Sequence, residues 1–399
     1  MELRTKRRCW MRPTLMMALT AALIFLPIAS TWAAEAGAKP AAKDEAAKIA
    51  WGPFLQNLTP TGVSMIWGTG PTVDGVVEYG EAADKLDKSV RPAENSAGRM
   101  TITGLTPDKT YFYRLTIKSD DGKSTASSET ASFKTPVEGM KTFSFAVISD
   151  THTSGCNRDL ARLMGELKPD FILNGGDRSP SVVSGTLKPY HDIMMRMPMY
   201  MARGNHDAAD KQTMVSMMPG PGDNQYYAFT WGNARIICVN TEDRKGNSAP
   251  LKKGGAQYQW LENELNNCKE TWKIVFQHIP VYSAYDGGLT GDLDDERGLL
   301  EQYGVDLVFQ GHQHNYDRSK PLKDKAVAKD GAKGVIYVTC SGACGGKEKF
   351  PKGTDLWFLD KTYNEGPFLG MVCIDGKKLK MDIVGPDKKG IATLTLEAK

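Results

Sequence analysis

The chain has 399 residues, with 50 Lys+Arg against 47 Asp+Glu, and 41% of it is hydrophobic. That length suggests two domains more than one. The first 34 residues hold five of the basic residues (Arg4, Lys6, Arg7, Arg8, Arg12) and one acid, Glu2. The remainder therefore carries 45 basic and 46 acidic residues, and nothing in it marks an electrostatic footprint for nucleic acid.

In chain order, the basic cluster is followed by an apolar core at 14–29, "TLMMALTAALIFLPIA", broken by Pro27, and then by "STWAAEAGA", whose small residues suit cleavage near Ala33 or Ala34. The apolar stretch is short for a membrane span. The pattern predicts an export signal over 1–34, no stable membrane span after its removal, and a periplasmic or secreted protein. "KRRCWM" leaves the twin-arginine route open. Residues 35–49, rich in Ala, Lys and acid, read as a flexible leader.

Beyond the leader lie Cys156, Cys238, Cys268, Cys340, Cys344 and Cys373. An exported chain can oxidise them, and the sequence does not choose the pairing. "CSGAC" makes Cys340 and Cys344 a candidate pair; free buried thiols are the alternative. With no C-x-x-C pair, a zinc ribbon is set aside.

Residues 50–136 read as all-β. "GVSMIWGT" and "GVVEYG" are strand-like, and "RMTITGLTPDKTYFYRLTIKSDDGKS" alternates around turn signals. Tyr111 and Tyr113 enter a strand just after a Pro-containing turn, as in the tyrosine-corner region of a fibronectin type III-like sandwich, with Trp67 as a core residue. This stretch has no histidine and no catalytic cluster.

From residue 140 to 399 strand-like and helix-like runs alternate. "FSFAVIS" precedes a helical "NRDLARLMGEL", and "DFILNGG" precedes a helical "TLKPYHDIMMRM". Then come "MPMYMARG", "NARIICVNT", a helical "AQYQWLENELNN", "WKIVFQH", a helical "DLDDERGLLEQY" and "VDLVFQG". The alternation predicts an α/β domain of layered sheets flanked by helices, closed by a hairpin at Asp375-Gly376.

Five polar motifs stand at the C-terminal ends of these strands, the edge where α/β sheets bind ligands. They are "SDTH" (Asp150, His152), "GGD" (Asp177), "GNHD" (Asn205, His206, Asp207), "QH" (His278) and "GHQH" (His312, His314). Five of the six histidines fall here; His191, in "KPYHDI", is given a structural or surface role. Mixed carboxylate, imidazole and amide donors suit Zn²⁺, Mn²⁺ or Fe. There are too many for one tetrahedral ion, so the set predicts two ions, with Asp177 as the candidate bridging carboxylate.

The order D-x-H, G-D, G-N-H-D, H, G-H-x-H resembles the calcineurin-like metallophosphoesterase superfamily. With the sandwich in front, the chain is similar to its purple acid phosphatase branch, as are "GHQHNYDR", "QYQWLENEL" and "VIYVTCSGACGG". The resemblance covers about 51–399. It implies a first metal held by Asp150, His152, Asp177 and His314, and a second held by Asp177, Asn205, His278 and His312. His206 would stabilise the transition state or protonate the leaving oxygen, with Asp207 orienting it or solvated. Arg178, Arg203 and Arg318 are possible phosphate contacts. The implied activity is phosphate-ester hydrolysis by metal-hydroxide attack, on monoesters or, as an alternative, diesters. A secreted non-catalytic binding protein is the rival from another class.

Two departures stand out against that branch. Its first motif has a glycine where this chain has His152, and its second supplies a tyrosine ligand where this chain has Pro180. An imidazole replaces a phenol, so the implied ligand count of the first metal is kept.

Overall fold

The computed structural model describes residues 46–398, apart from 70–73, 93–97, 120, 153–154, 179–182, 208–225, 245–250, 286–287, 330–331 and 344–355. The export signal, most of the leader, Pro180 and Cys344 lie outside the described residues.

The N-terminal part is a pair of antiparallel sheets. One orders Ile49–Thr59, Gly62–Thr69 and Arg99–Thr103; the other is built on Asp74–Gly80 and Thr110–Lys118. Period-2 alternation drives them together: Thr110–Lys118 buries Tyr111, Tyr113, Leu115 and Ile117 on one face and leaves the intervening residues wetter. Trp67 is buried among them. The Tyr111 hydroxyl accepts the Thr106 amide at 3.0 Å, five residues upstream, which is the tyrosine-corner bond expected from the turn.

The C-terminal part contains two larger sheets. The first orders Met199–Met201, Phe171–Asn174, Thr142–Ile148, Leu369–Asp375, Lys378–Val384 and Gly390–Glu397. Its first three strands are parallel and the rest antiparallel. The second has a parallel centre of Ala234–Cys238, Trp272–Phe276, Leu307–Gln310 and Ile336–Cys340. The sheets pack face to face: Phe145 stacks on Phe171 at 4.9 Å and meets Phe309 edge-on at 6.1 Å. Alternation sorts the second sheet's side chains. Ile236, Ile274, Leu307 and Phe309 enter the core shared with the first sheet, whereas Ile237, Val275 and Val308 join Leu261, Leu265, Leu299 and Leu300 of the helices Ala256–Asn267 and Asp294–Gln302 outside it. The central strands are buried on both faces, as parallel strands between layers must be.

Two expectations need correction. The helix read over 186–197 is a wide turn, Val183–Leu187, then a four-residue helix, His191–Met194. Pro189 lies between them and cannot donate the backbone bond that a continuous helix needs. The Cys340 thiol is free and buried, 3.5 Å from the Val147 carbonyl it donates to, which is the free-thiol alternative; Cys344 lies outside the described residues. The C-terminal hairpin turns at Gly376-Lys377, because Asp375 pairs with Lys378, and a third strand extends it.

The sandwich is not a detached module. Gln56 Nε2 donates to the Met199 carbonyl at 3.1 Å, and the Tyr113 hydroxyl donates to the Met195 carbonyl at 2.7 Å. Phe54 meets the His191 ring edge-on at 5.4 Å. The Gln56 bond meets the short edge strand Met199–Met201 on its open side, where an edge strand otherwise exposes unpaired backbone groups.

Glu296, on the helix Asp294–Gln302, is fully buried; its Oε1 has no hydrogen bond, and its Oε2 faces Gln277 Nε2 at 3.5 Å. Burial pushes its carboxyl up from 4.5 to about 8. The unfolded chain therefore loses this proton near pH 4.5 and the folded chain only near pH 8, so folding binds a proton between those values and stability falls as pH rises across that window. Glu296→Gln removes the penalty. Denaturation midpoints of the metal-free proteins should agree near pH 4.5, and the variant should be the more stable at pH 8, by up to about 4 kcal/mol. Parallel midpoints for both proteins across that range would refute the buried acid.

Candidate metal centre

The site forms where the C-terminal ends of parallel strands from both sheets meet. The first sheet supplies Asp150 and His152 after Thr142–Ile148, Asp177 after Phe171–Asn174, and Asn205 and His206 after Met199–Met201. The second supplies His278 after Trp272–Phe276, and His312 and His314 after Leu307–Gln310. Ligand atoms of Asp150, His152 and His314 lie within 4.8 Å of one another, and so do those of Asp177, His278 and His312. His152 Nε2 and His314 Nε2 are 3.4 Å apart, and His314 Nε2 is 3.6 Å from Asp150 Oδ1.

Asn205 joins the second group through its Oδ1, 2.9 Å from His278 Nε2, which is itself 3.4 Å from Asp177 Oδ2. The Gly175 carbonyl, which can only accept, lies 2.9 Å from His278 Nδ1, so that nitrogen carries the hydrogen and Nε2 faces the other donors. His206 stands apart: its side chain is 62% exposed, its Nε2 is 4.0 Å from Asp177 Oδ2, and its ring is 5.8 Å from that of His152.

The donor set fits two transition-metal ions. Asp150 Oδ1 is buried with no hydrogen-bond partner among the described residues, while Oδ2 is fully engaged by the hydroxyls of Ser149 (2.6 Å) and Ser341 and by the His312 amide (2.9 Å). One carboxylate oxygen is thus held and the other left for a cation. Burial alone would raise the carboxyls of Asp150 and Asp177; the imidazoles of His314 and His278 outweigh it and hold both below the usual range. His278 shows the reciprocal effect. Burial pulls it down, and Asp177, Asp150 and Asp207 push it up to about 9. An entering ion therefore displaces a proton there.

The turns are strained. Asp150, His152, Asp177 and His312 all have positive φ, from 40° to 70°. Such backbone persists where the surroundings over-determine it. Two of the flanking glycines are sterically required: a Cβ at Gly204 would collide with Asp177 Oδ1, and one at Gly311 with Ser149 Oγ. The Asn157 amide donates to the carbonyls of Thr151 (2.7 Å) and Gly185 (3.1 Å), closing the loop behind His152.

Several expected roles change. Asp207 does not orient the His206 ring and is not solvated. Its carboxylate accepts from the amides of Asp177, Arg178 and Gly204 and from Arg178 Nη2 at 2.6 Å. Arg178 is completely buried in that pair and is not placed to meet a phosphate. Arg318 pairs with Asp360 and donates to the Thr393 carbonyl, away from both donor groups. Arg203 is half-buried just before Asn205. Tyr190, the nearest tyrosine after the second motif, commits its hydroxyl to Asn157 Oδ1 at 3.2 Å. Ser149 and Ser341 were missed by sequence reasoning. Ser341 follows Ile336–Cys340, whose end reaches the same edge, so strand position was the available signal.

Comparisons with known proteins agree with this geometry. Residues 143–316 match the calcineurin-like phosphoesterase family, and residues 54–135 match the purple acid phosphatase N-terminal domain. The chain is 28% identical over 309 residues to purple acid phosphatase 21 of Arabidopsis thaliana, covering 67% of this chain and 65% of that protein. It is 25% identical over 391 residues to acid phosphatase type 7 of Danio rerio, covering 81% and 85%. An uncharacterized protein of Mycobacterium tuberculosis is 26% identical over 272 residues, 56% of this chain, and the chain spans about half of that protein's length (50%). The fold matches that of a purple acid phosphatase from yellow lupin (Lupinus luteus) seeds, with a TM-score of 0.72 at 19% identity, covering 86% of this chain and 74% of that one. Sequence, fold and donor geometry agree: a stretch matching the purple acid phosphatase N-terminal domain precedes one matching the calcineurin-like phosphoesterase family, and the second carries both donor groups.

Proposed function

We propose that the chain is an exported metal-dependent phosphoester hydrolase. The observation that carries this reading is the convergence of two donor groups, Asp150–His152–His314 and Asp177–His278–His312, on one edge shared by two sheets. When bound there, two transition-metal ions supply charge neutralisation and a nucleophile for in-line displacement at phosphorus. Asp150, His152 and His314 would hold one ion, Asn205, His278 and His312 the other, and Asp177 would bridge them. Iron, zinc and manganese all suit these donors.

The protein's own groups account for the rest of the reaction. Ser149, Ser341 and the His312 amide lock one oxygen of Asp150 so that the other faces the ion. The Gly175 carbonyl fixes the tautomer of His278. The exposed imidazole of His206 is not needed as a ligand and is free to meet the ester from the solvent side, stabilising the transition state and protonating the leaving oxygen. A panel of mono- and diesters assayed on zinc-, manganese- and iron-loaded protein tests the activity and its ester class.

Asp177→Asn should lower metal content and turnover together. Near-normal values of both would remove the bridging role and with it the two-ion reading. By contrast, His206→Ala should keep both ions and lose roughly 10²–10⁴-fold in kcat. Elemental analysis showing a lost ion in that variant would make His206 a ligand.

Export rests on the basic cluster, the short apolar core and the small residues at 30–38. Mass spectrometry of the protein recovered from periplasm or medium should find a chain beginning at residue 34 or 35; recovery of the uncleaved chain in the cytoplasm would contradict it.

A further inference from the structure

The buried pair Arg178–Asp207 is an expensive feature with no assigned role. Both side chains have 0% exposure. Among the described residues Arg178 Nε and Nη1 also have no acceptor, and unsatisfied buried donors destabilise a fold. A buried ion pair seldom stabilises more than an apolar pair of the same volume. Stability therefore does not explain its presence.

What the pair does achieve is register. Asp207 Oδ2 accepts from the amides of Asp177 (3.1 Å) and Gly204 (2.8 Å) and from Arg178 Nη2, while Oδ1 accepts from the Arg178 amide at 2.8 Å. Arg178 Nη2 also donates to the Ala202 carbonyl at 2.8 Å. The lock is reciprocal, because Asp177 Oδ1 accepts the His206 amide at 2.9 Å. Each turn thus offers a carboxylate to the other's amides. Between them they hold Asp177 at φ 54°, a conformation its backbone would not otherwise keep.

We propose that Arg178 and Asp207 are positioning residues that set the Asp177 turn against the Asn205–His206 turn before any ion arrives. The proposal rests on the two-ion reading above. They touch neither substrate nor ion. They fix the distance between Asp177, Asn205 and His278, and so the affinity of the second ion.

The test uses the double variant Arg178→Met/Asp207→Asn in the full chain, with Zn²⁺ as the probe. Removing both charges leaves no unpaired buried ion, so the metal-free variant should fold, with a modestly lower Tm because the introduced amide keeps only one of the two acceptor oxygens of Asp207. Competition with a chelator should show one zinc bound as in the wild type and the other 10–100-fold weaker, the usual scale for groups that orient ligands. Two zinc ions bound with wild-type affinities by the folded variant would overturn the proposal. Amide hydrogen exchange of the metal-free wild type gives a second reading that does not require the variant to fold. The amides of Asp177, Arg178 and Gly204 should already be protected, and exchange at exposed-loop rates until zinc is added would overturn the proposal equally. Failure of the two-ion reading looks different: the wild type would bind fewer than two zinc ions while these amides stayed protected.

Discussion

Two buried carboxylates in mutual repulsion set the terms for this structure. Asp150 and Asp177 stand at the ends of adjacent parallel strands, each within the other's electrostatic reach, and neither has enough water to dissipate its charge. The groups that touch their oxygens supply positive potential. Imidazoles from the second sheet face them, backbone amides from neighbouring turns point at them, and serine hydroxyls take up one oxygen of Asp150. Cations held by these donors would complete the neutralisation, so the geometry that is costly without them would favour their binding.

Much of this was legible in the sequence because strands and turns leave different signatures. Apolar runs such as "FSFAVI" and "DLVF", bounded by turn signals, read as buried strands, and the polar residues after them then sit at a sheet edge. The order of motifs then named nearly all the donors now found together. What escaped was non-local. Asp207 follows His206, and adjacency suggested a partnership, yet its carboxylate turns back to a loop thirty residues earlier. Arg178 follows Asp177 and looked like an anion contact, yet its side chain is completely buried. Periodicity also favoured one helix over 186–197, and a single proline divided it.

The strain has a consistent location. Four of the seven residues expected to ligate metal have left-handed backbone, and they do so where a strand stops abruptly and the chain must reverse without leaving the edge. A residue on such a tight turn aims its side chain along the strand axis rather than across the sheet, and that brings donors from two sheets to a common point. The glycines between them are small because the turns nearly touch.

The contact between the sandwich and the edge strand Met199–Met201 bears on how this architecture can vary. Gln56 and Tyr113 grip the backbone on either side of Pro198, and four residues past the strand the chain reaches Asn205. Any tilt of the sandwich is transmitted along a segment too short to absorb it. The two halves therefore act as one mechanical piece: exchanging the front module for another of the same fold would move the third motif unless the grip on those two carbonyls were rebuilt with it.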